Sequence, residues 1–388
     1  MAASSSSVQR GVIALLVLGA AAICAGAVAT FEFRFIDLDV YRWGGEVVDE
    51  ASNLYAIRHP QLGMPFTYTP FAALLFEALV PIGLLTPVTW SVVSIAALLR
   101  ASWLLARERG EWLAQQATAW PAFAIAALVI AAQPGTQTVR LGQVGFVLLW
   151  LACEDLLGAR RRWSGALVGV ATALKLTPGV FVLLELVVGR VRAALVSIVV
   201  VVVTIAGAWA FAPEESGRFW RHLGPDVTTV GPVTAADHWS INGTVWRIFG
   251  DGGNDAVWLA LAVATMVGTT WLARAWWLGG APLGAIGLVG LGSVLASPFS
   301  WSHHWVLTAP LWVALFVQAS RSTRPRVVWG VLAAAYVLVL TATWWHVPHR
   351  SLELVLGERI GDAIALNSYL AVAAALLVLA WTLRPADR

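Results

Sequence analysis

Apolar residues gather along the chain in long uninterrupted blocks. Gly11 to Thr30, Ala193 to Pro213, Val327 to Thr343 and Leu366 to Leu383 each approach the ~20 residues that carry a helix across ~30 Å of hydrocarbon. Reading the remaining blocks the same way predicts spans at roughly 11–32, 68–86, 88–106, 118–132, 143–157, 164–188, 193–212, 256–278, 281–297, 303–319, 326–345 and 366–383. Twelve such segments take ~240 residues at ~20 each, leaving no room for a large soluble domain in a chain of 388. The expectation is an all-α polytopic membrane protein forming a single integral domain over 1–388. Within it, 11–212 is an N-terminal catalytic module carrying an outside loop at 34–67, 213–255 is a second long outside loop, and 256–388 supplies the C-terminal helices. The first block lacks a small-residue cleavage site followed by soluble sequence, which marks a retained signal anchor.

Arginines orient the spans, because cytoplasmic connections carry an excess of basic residues. Placing Arg10, Arg160 to Arg162, Arg190, Arg192, Arg274, Arg321, Arg324, Arg326, Arg384 and Arg388 inside leaves 34–67, 213–255, 298–302 and 346–365 outside, with both termini inside. One parity conflict follows: Arg160 to Arg162 and Arg190 with Arg192 cannot share a side if 164–188 crosses once. Pro178 disfavours helix at the residue before it, so 164–188 is read as two short helices that rise to Lys175 and return. One of 68–86 and 88–106 is then re-entrant or half-crossing.

Composition sharpens the class. Apolar residues make up 59% of the chain, against 25 Lys and Arg and 22 Asp and Glu, about half the charge density of a soluble domain. The net charge of +3 reflects arginines at span ends and gives no reason to invoke nucleic acid. Cys24 and Cys153 fall inside apolar blocks, where a thiol is a small packing residue and no disulfide framework is implied. Most of the 22 Trp fit interfacial belts; those beside His or Asp are candidates for stacking on a sugar or prenyl chain.

The outside loops carry the candidate chemistry. Residues 34–67 combine Asp37, Asp39, Glu46, Asp49, Glu50, Arg42, Arg58 and His59 with Tyr41, Trp43 and Tyr55, a mixture suited to gripping sugar. Residues 213–255 contribute Trp220, His222, Asp226, Asp237, His238, Trp239 and Trp246. Asp37 and Asp39 stand two residues apart on a short turn beside hydrocarbon, where partial desolvation raises a carboxylate toward the range of a general base. Only one need act, and the pattern does not say which. Lys175 sits in an otherwise uncharged stretch, where an ionisable group costs at least ~2.5 kcal/mol. It either snorkels to an interface or holds an anionic lipid phosphate. Arg140, at a span end, invites the same comparison. In Ser297-Pro-Phe-Ser-Trp-Ser-His-His-Trp305, two adjacent histidines between tryptophans can donate to phosphate while the indoles pack on lipid. A metal would want further ligands at close spacing, and none is near in sequence. Asn242-Gly-Thr244 matches a glycosylation sequon, and 44–60 has a weak amphipathic pattern.

Five segments, Phe35-Ile-Asp-Leu-Asp-Val-Tyr41, Pro65-Phe-Thr-Tyr-Thr-Pro-Phe71, Gly142-Gln143, Lys175-Leu-Thr-Pro178 and Ser297 to Trp305, in this order resemble glycosyltransferase family 87. Within the family the chain looks most like the actinobacterial α-1,2-mannosyltransferases of phosphatidylinositol mannosides. The resemblance implies a GT-C fold of about 12 transmembrane helices and a multi-pass protein of the plasma membrane with its active site on the extracytoplasmic side. It implies inverting transfer from polyprenyl-phosphate mannose to a phosphatidylinositol mannoside, with no nucleotide sugar, no cofactor and no metal. The family's catalytic aspartate falls on Asp37, and its Lys and His motifs fall on Lys175, His303 and His304. With Arg140, these are expected to hold the donor phosphate. Asp39, Tyr41, Tyr68, Gln143, His238 and Trp301 are expected around the substrates. Two departures bear on the acceptor: Gly145 stands where the family usually has Asn, and His238-Trp239-Ser240, then Gly243 and Arg247, stand where it usually reads Asn-Gln-Ser ahead of Gly and Arg. Rival readings are another polyprenyl-phosphate sugar, α-1,2 branching of lipomannan, or a lipid-linked sugar flippase or transporter. The last is disfavoured by the lack of an internal repeat or a matched pair of broken spans.

Overall fold

The computed structural model describes residues 34–48, 54–108, 119–158, 162–221, 231, 233, 235, 237–249, 255–341 and 366–385. The expected spans and loops at 11–32 and 346–365 lie outside them, as do Asp49, Glu50, His222, Asp226 and Cys24. The described chain is helical, with two isolated antiparallel bridges, Arg58 with Pro65 and His238 with Trp301. In order the α-helices are α1 (Ile36–Val47), α2 (Pro70–Phe76), α3 (Thr86–Arg107), α4 (Ala119–Ala131), α5 (Gln133–Leu141), α6 (Gly145–Leu157), α7 (Ala166–Leu174) and α8 (Val180–Val187). They continue with α9 (Val191–Phe211), α10 (Pro213–Arg221), α11 (Ile241–Phe249), α12 (Asp255–Leu278), α13 (Pro282–Ala296), α14 (Ala309–Ala319), α15 (Pro325–Thr341) and α16 (Ser368–Thr382).

Prolines cut the apolar blocks into these pieces. Pro70, Pro87, Pro134, Pro282 and Pro310 each stand in the first two positions of a helix, where a missing N–H is no loss. Among the described residues, three helical stretches are long and apolar enough to cross a membrane: Pro70–Arg107, Val191–Phe211 and Asp255–Leu278. A fourth is added if Trp120–Ala131 and Gln133–Leu141, bent by 80°, count as one broken span. These features fit a membrane protein, and among the described residues three or four stretches meet this test, against the twelve spans expected over the whole chain. Pro282–Ala296 has 15 residues, about 22 Å of helix, short of a full crossing. Apolar content alone does not distinguish such a piece from a span.

Two of the expected segments are interrupted. Segment 68–86 is the seven residues of α2 followed by a 3-10 stretch, Glu77–Leu85, broken at Gly83 with φ 59°. Segment 164–188, read as two short helices meeting at Lys175, is interrupted at that residue, which has extended φ/ψ. Its ends meet: Ser197 Oγ on α9 lies 2.7 Å from the Gly165 carbonyl oxygen and 3.0 Å from Glu185 Oε2. Asp155, at the end of α6, caps the start of α7 by accepting from the N–H of Gly165 at 2.6 Å and of Val168 at 2.9 Å. Arg190, just after α8, donates to the carbonyls of Asp155 and Leu156. α7 and α8 thus form a hairpin with Lys175 at its tip, each arm about 12–14 Å long.

α13 is the centre of the C-terminal half, buried on every face from Leu283 to Leu295 between α12 and α14. Gly287 permits that closeness, because a Cβ there would run into the backbone of Leu311. α3, α4, α6, α7 and α9 pack in series as the N-terminal half, and the 3-10 segment Ser302–Thr308 bridges the halves through α5, α6 and α13.

Candidate active site

α1 is the element the sequence hid. Its buried residues Leu38, Val40, Tyr41, Trp43, Gly44 and Gly45 form one face, and it packs on α2, on Glu77–Leu85 and on α5. It starts at Phe35, whose left-handed φ of 41° is the sole positive value at a non-glycine among the described residues. That conformation is disfavoured for an aromatic residue. It is held by the Phe35 N–H donating to the Arg140 carbonyl at 3.1 Å. Gly142, at φ 70°, ends α5 directly beneath, and a Cβ on it would lie 2.7 Å from Leu38 Cβ. Only glycine satisfies both the left-handed backbone and the close approach.

Because Asp37 and Asp39 are helical, and not on a turn, they point about 200° apart. Asp37 turns into the molecule, and its Oδ2 accepts from Gln143 Nε2 at 2.7 Å. Asp39 faces outward, 3.4 Å from His59 Nε2 and 3.4 Å from Arg42 Nη2. Gln143 Oε1 accepts from Tyr41 at 2.7 Å and from Tyr68 at 3.0 Å, while the two phenol oxygens lie 2.6 Å apart. Tyr68 in turn accepts from Lys175 Nζ at 3.2 Å, and the same ammonium lies 2.9 Å from His304 Nε2. One hydrogen-bonded run therefore joins Asp37, Gln143, Tyr68, Lys175 and His304, drawn from α1, the α5–α6 corner, the segment before α2, the hairpin tip and the 3-10 bridge. Asp37, Lys175 and His304 keep part of their surface open; Gln143, Tyr41 and Tyr68 stand buried behind them.

Local packing explains why the run is held. Tyr41 stacks on Phe76 at 4.6 Å between ring centres and meets Trp90 edge-on. Thr69 caps α2 by accepting from Ala72 N–H at 3.2 Å and donates to the Ala173 carbonyl, tying the hairpin tip to α2. Ser302 accepts from Gln133 Nε2 at 2.9 Å, and Gln133 Oε1 accepts from Tyr369 at 2.7 Å. That clamp of Gln133, Ser302 and Tyr369 was not singled out from the sequence; its only sign there was two polar side chains inside apolar blocks.

The two histidines have separate surroundings. A cationic Lys175 donates, so His304 Nε2 is its acceptor and the ring is neutral. His303 is buried, and its Nε2 has no hydrogen-bond partner among the described residues. Burial raises the Asp37 carboxyl from 3.8 to about 6, opposed by the Gln143 hydrogen bond and by the charge of Lys175. Burial likewise lifts the Tyr41 phenol above its ordinary value.

Other expected residues are placed differently. His238 is fully buried, stacked on Phe299 at 4.1 Å, with Nδ1 2.6 Å from the Val233 carbonyl and Nε2 3.1 Å from Ser240 Oγ. Burial holds it neutral, down to about 4. Both nitrogens are engaged within the loop, which the ring fastens. Trp301 is half-buried, packed edge-on against Phe299 at 4.8 Å. Arg140 lies in the last turn of α5, where its carbonyl accepts from the Phe35 N–H at 3.1 Å. Asn242 of the sequon is buried at the start of α11 and donates to the Pro298 carbonyl at 2.8 Å, which leaves the amide ill-placed for a glycan. Among the described residues no group of three or more His, Cys, Asp or Glu is arranged to hold a metal.

Comparison with known proteins gives the same direction. Residues 66–298 match the description of glycosyltransferase family 87. The chain is 34% identical over 342 residues to the polyprenol-phosphate-mannose-dependent α-(1-2)-phosphatidylinositol pentamannoside mannosyltransferase of Mycobacterium tuberculosis, covering 84% of this chain and 78% of that one. It is 31% identical over 330 residues to the polyprenol-phosphate-mannose-dependent α-(1-2)-phosphatidylinositol mannoside mannosyltransferase of Mycolicibacterium smegmatis, covering 79% and 74%. No solved structure matches.

Proposed function

Since the chain belongs to glycosyltransferase family 87, we propose that this glycosyltransferase moves mannose from polyprenyl-phosphate mannose to a mannose hydroxyl of a phosphatidylinositol mannoside, forming an α-1,2 linkage. The observation that carries the reading is the run from Asp37 to His304, which sets a partly open carboxylate against a partly open ammonium with a fixed bridge between them. The donor and acceptor classes are those named for the relatives.

In the reaction, Asp37 takes the proton of the acceptor hydroxyl as that oxygen bonds to the anomeric carbon. The bond from that carbon to the donor phosphate breaks, and polyprenyl phosphate leaves with the electron pair. Attack opposite a β-linked phosphate inverts the centre and gives the α product. Lys175 meets the charge gathering on the leaving phosphate, and the vacant His303 Nε2 supplies a second donor when it bears a proton. Preorganised donors of this kind are worth most where water is excluded. The fold reading is a GT-C architecture in the plasma membrane, with the site on the outer side and the prenyl chain in the bilayer.

The test is Asp37→Asn, which keeps shape and removes the base. Membranes supplied with radiolabelled polyprenyl-phosphate mannose are expected to lose transfer by about 10²–10⁴-fold. Near-normal transfer would remove Asp37 from the role.

A further inference from the structure

Gln143 is expected, from the family motif, among residues that touch substrate. Its surroundings give it another task. The side chain is buried, and both lone pairs of Oε1 are taken by the hydroxyls of Tyr41 and Tyr68. A side-chain amide can rotate end for end, and nothing in its own shape chooses between the two settings. Here the carboxylate chooses, because a phenol can accept as well as donate whereas an ionised carboxylate only accepts. Turned over, the amide would set its oxygen against Asp37 Oδ2, which stands 2.7 Å away, so that two acceptors would meet. With Nε2 drawn to the carboxylate, Oε1 faces the two tyrosines and accepts from them.

The carboxylate is then held from one side. Oδ2 receives the amide hydrogen, and Oδ1 takes no side-chain hydrogen bond from a described residue. The bonded oxygen fixes the plane of the carboxylate, and the free one is left for an incoming hydroxyl. We propose that Gln143 is a positioning residue for Asp37, braced by Tyr41 and Tyr68, that aims the free carboxylate oxygen at the incoming hydroxyl. This rests on the reading of Asp37 as the base and adds to it. Tyr68 also connects the device to the other end of the site, since it is the hydroxyl that accepts from Lys175 at 3.2 Å. Counting hydrogens makes the connection directional. The two phenol protons can fill only two of the three contacts, two to Gln143 and one between the phenols, while the Lys175 proton reaches Tyr68 from outside. Donation by Lys175 therefore polarises the phenol that anchors the amide.

The electrostatics agree. The Gln143 hydrogen bond lowers the Asp37 carboxyl against burial, ahead of the Lys175 charge. The ionisable groups that face Asp37 are Tyr41 on its own helix, Tyr68 from the segment before α2 and Lys175 from the hairpin tip. Of the other elements packed on α1, α5 carries Arg140 and the 3-10 stretch carries Glu77.

The experiment uses the purified full chain in lipid and reads Asp37 directly, by infrared titration of the protonated carboxyl band that disappears in Asp37→Asn. The wild-type midpoint is expected near pH 6, about the value burial gives it. Gln143→Met, which keeps volume and removes the donor, should move the midpoint up by about one unit. It should also lower kcat by about 10- to 100-fold, with KM for the donor lipid little changed. Tyr41→Phe removes one oxygen and should move the midpoint in the same direction by less; it is the deciding variant should Gln143→Met fail to accumulate. An unmoved midpoint, or a raised KM with normal kcat as for a substrate contact, overturns the inference. A shifted midpoint in a protein that transfers no mannose leaves the positioning intact and sinks the donor reading instead.

Discussion

Asp37 carries opposite consequences for activity and for folding. Its carboxyl is raised from 3.8 to about 6 by burial, so between those values the folded chain binds a proton that the unfolded chain releases. Stability then falls as pH rises through this window and stays lower above it. Asp37→Asn removes an ionised group from a partly desolvated position, and thermal unfolding at pH 7.5 should therefore occur at higher temperature in the variant. The gain is at most roughly 3 kcal/mol for a shift of this size, and less because part of the carboxylate stays open to solvent. At pH 4 the two proteins should converge. A variant less stable than the parent at pH 7.5 would mean that Asp37 is held by a charge partner stronger than its burial.

The two histidines separate by the same residue-scale logic. His304 reaches the chemistry through Lys175 at 2.9 Å, whereas His303 brings its own vacant nitrogen. Lys175→Met and the double variant with His304→Ala should thus lose similar activity, because the second change acts on a contact already gone. His303→Ala added to Lys175→Met should lose a further factor. Equal additivity for both histidines in initial-rate measurements would contradict that division.

Among the elements, the corner between α5 and α6 meets the start of α1 with little tolerance. Gly142→Ala puts a Cβ 2.7 Å from Leu38 Cβ at a φ of 70°, and both faults push α1 away from Gln143. A loss of about 1–3 kcal/mol is expected, with transfer falling further than stability because the bond from Gln143 to Asp37 is stretched. Circular dichroism melts beside transfer rates check this. The corner also shows how far the sequence could be read. All five motif segments contribute to one place, and Lys175 stands at the break that Pro178 suggested. The helix of α1 was not legible, because Phe35-Ile-Asp-Leu-Asp alternates locally and its helical face closes only through Trp43 and Gly45. With α1 read as a turn, Asp37 and Asp39 were equivalent; a helix separates them. The burial of His238 was not legible for a related reason: a histidine among aromatics in an outside loop looks exposed until Phe299 and Val233 are seen to enclose it. Which of 68–86 and 88–106 is broken was not legible because a 3-10 stretch and a span share one composition.

At the scale of the whole molecule, α6 acts as a ruler between two chemically different ends. Gln143 precedes its first turn. Its last turn holds Glu154, paired with Arg100 at 2.7 Å, and Asp155, whose carbonyl receives Arg190. Arg274 joins the same end by donating to the Val187 carbonyl at 3.0 Å. Thirteen residues of α6 span about 20 Å, which sets these arginines about that far along the helix from the Asp37 site. In the proposed orientation, with basic ends toward the cytoplasm, the site faces outward, as the proposed donor with its prenyl chain in the bilayer requires. Accessible-cysteine labelling checks the whole arrangement. Cys153 is buried, and replacing Cys24 by Ser removes the other native thiol. In intact cells a membrane-impermeant maleimide should then label Arg58→Cys, in the exposed turn that bonds Gly63, and leave Arg324→Cys, in the turn before α15, unlabelled until the membrane is opened. The reverse pattern would put Asp37 in the cytoplasm and would require a donor supplied from that side.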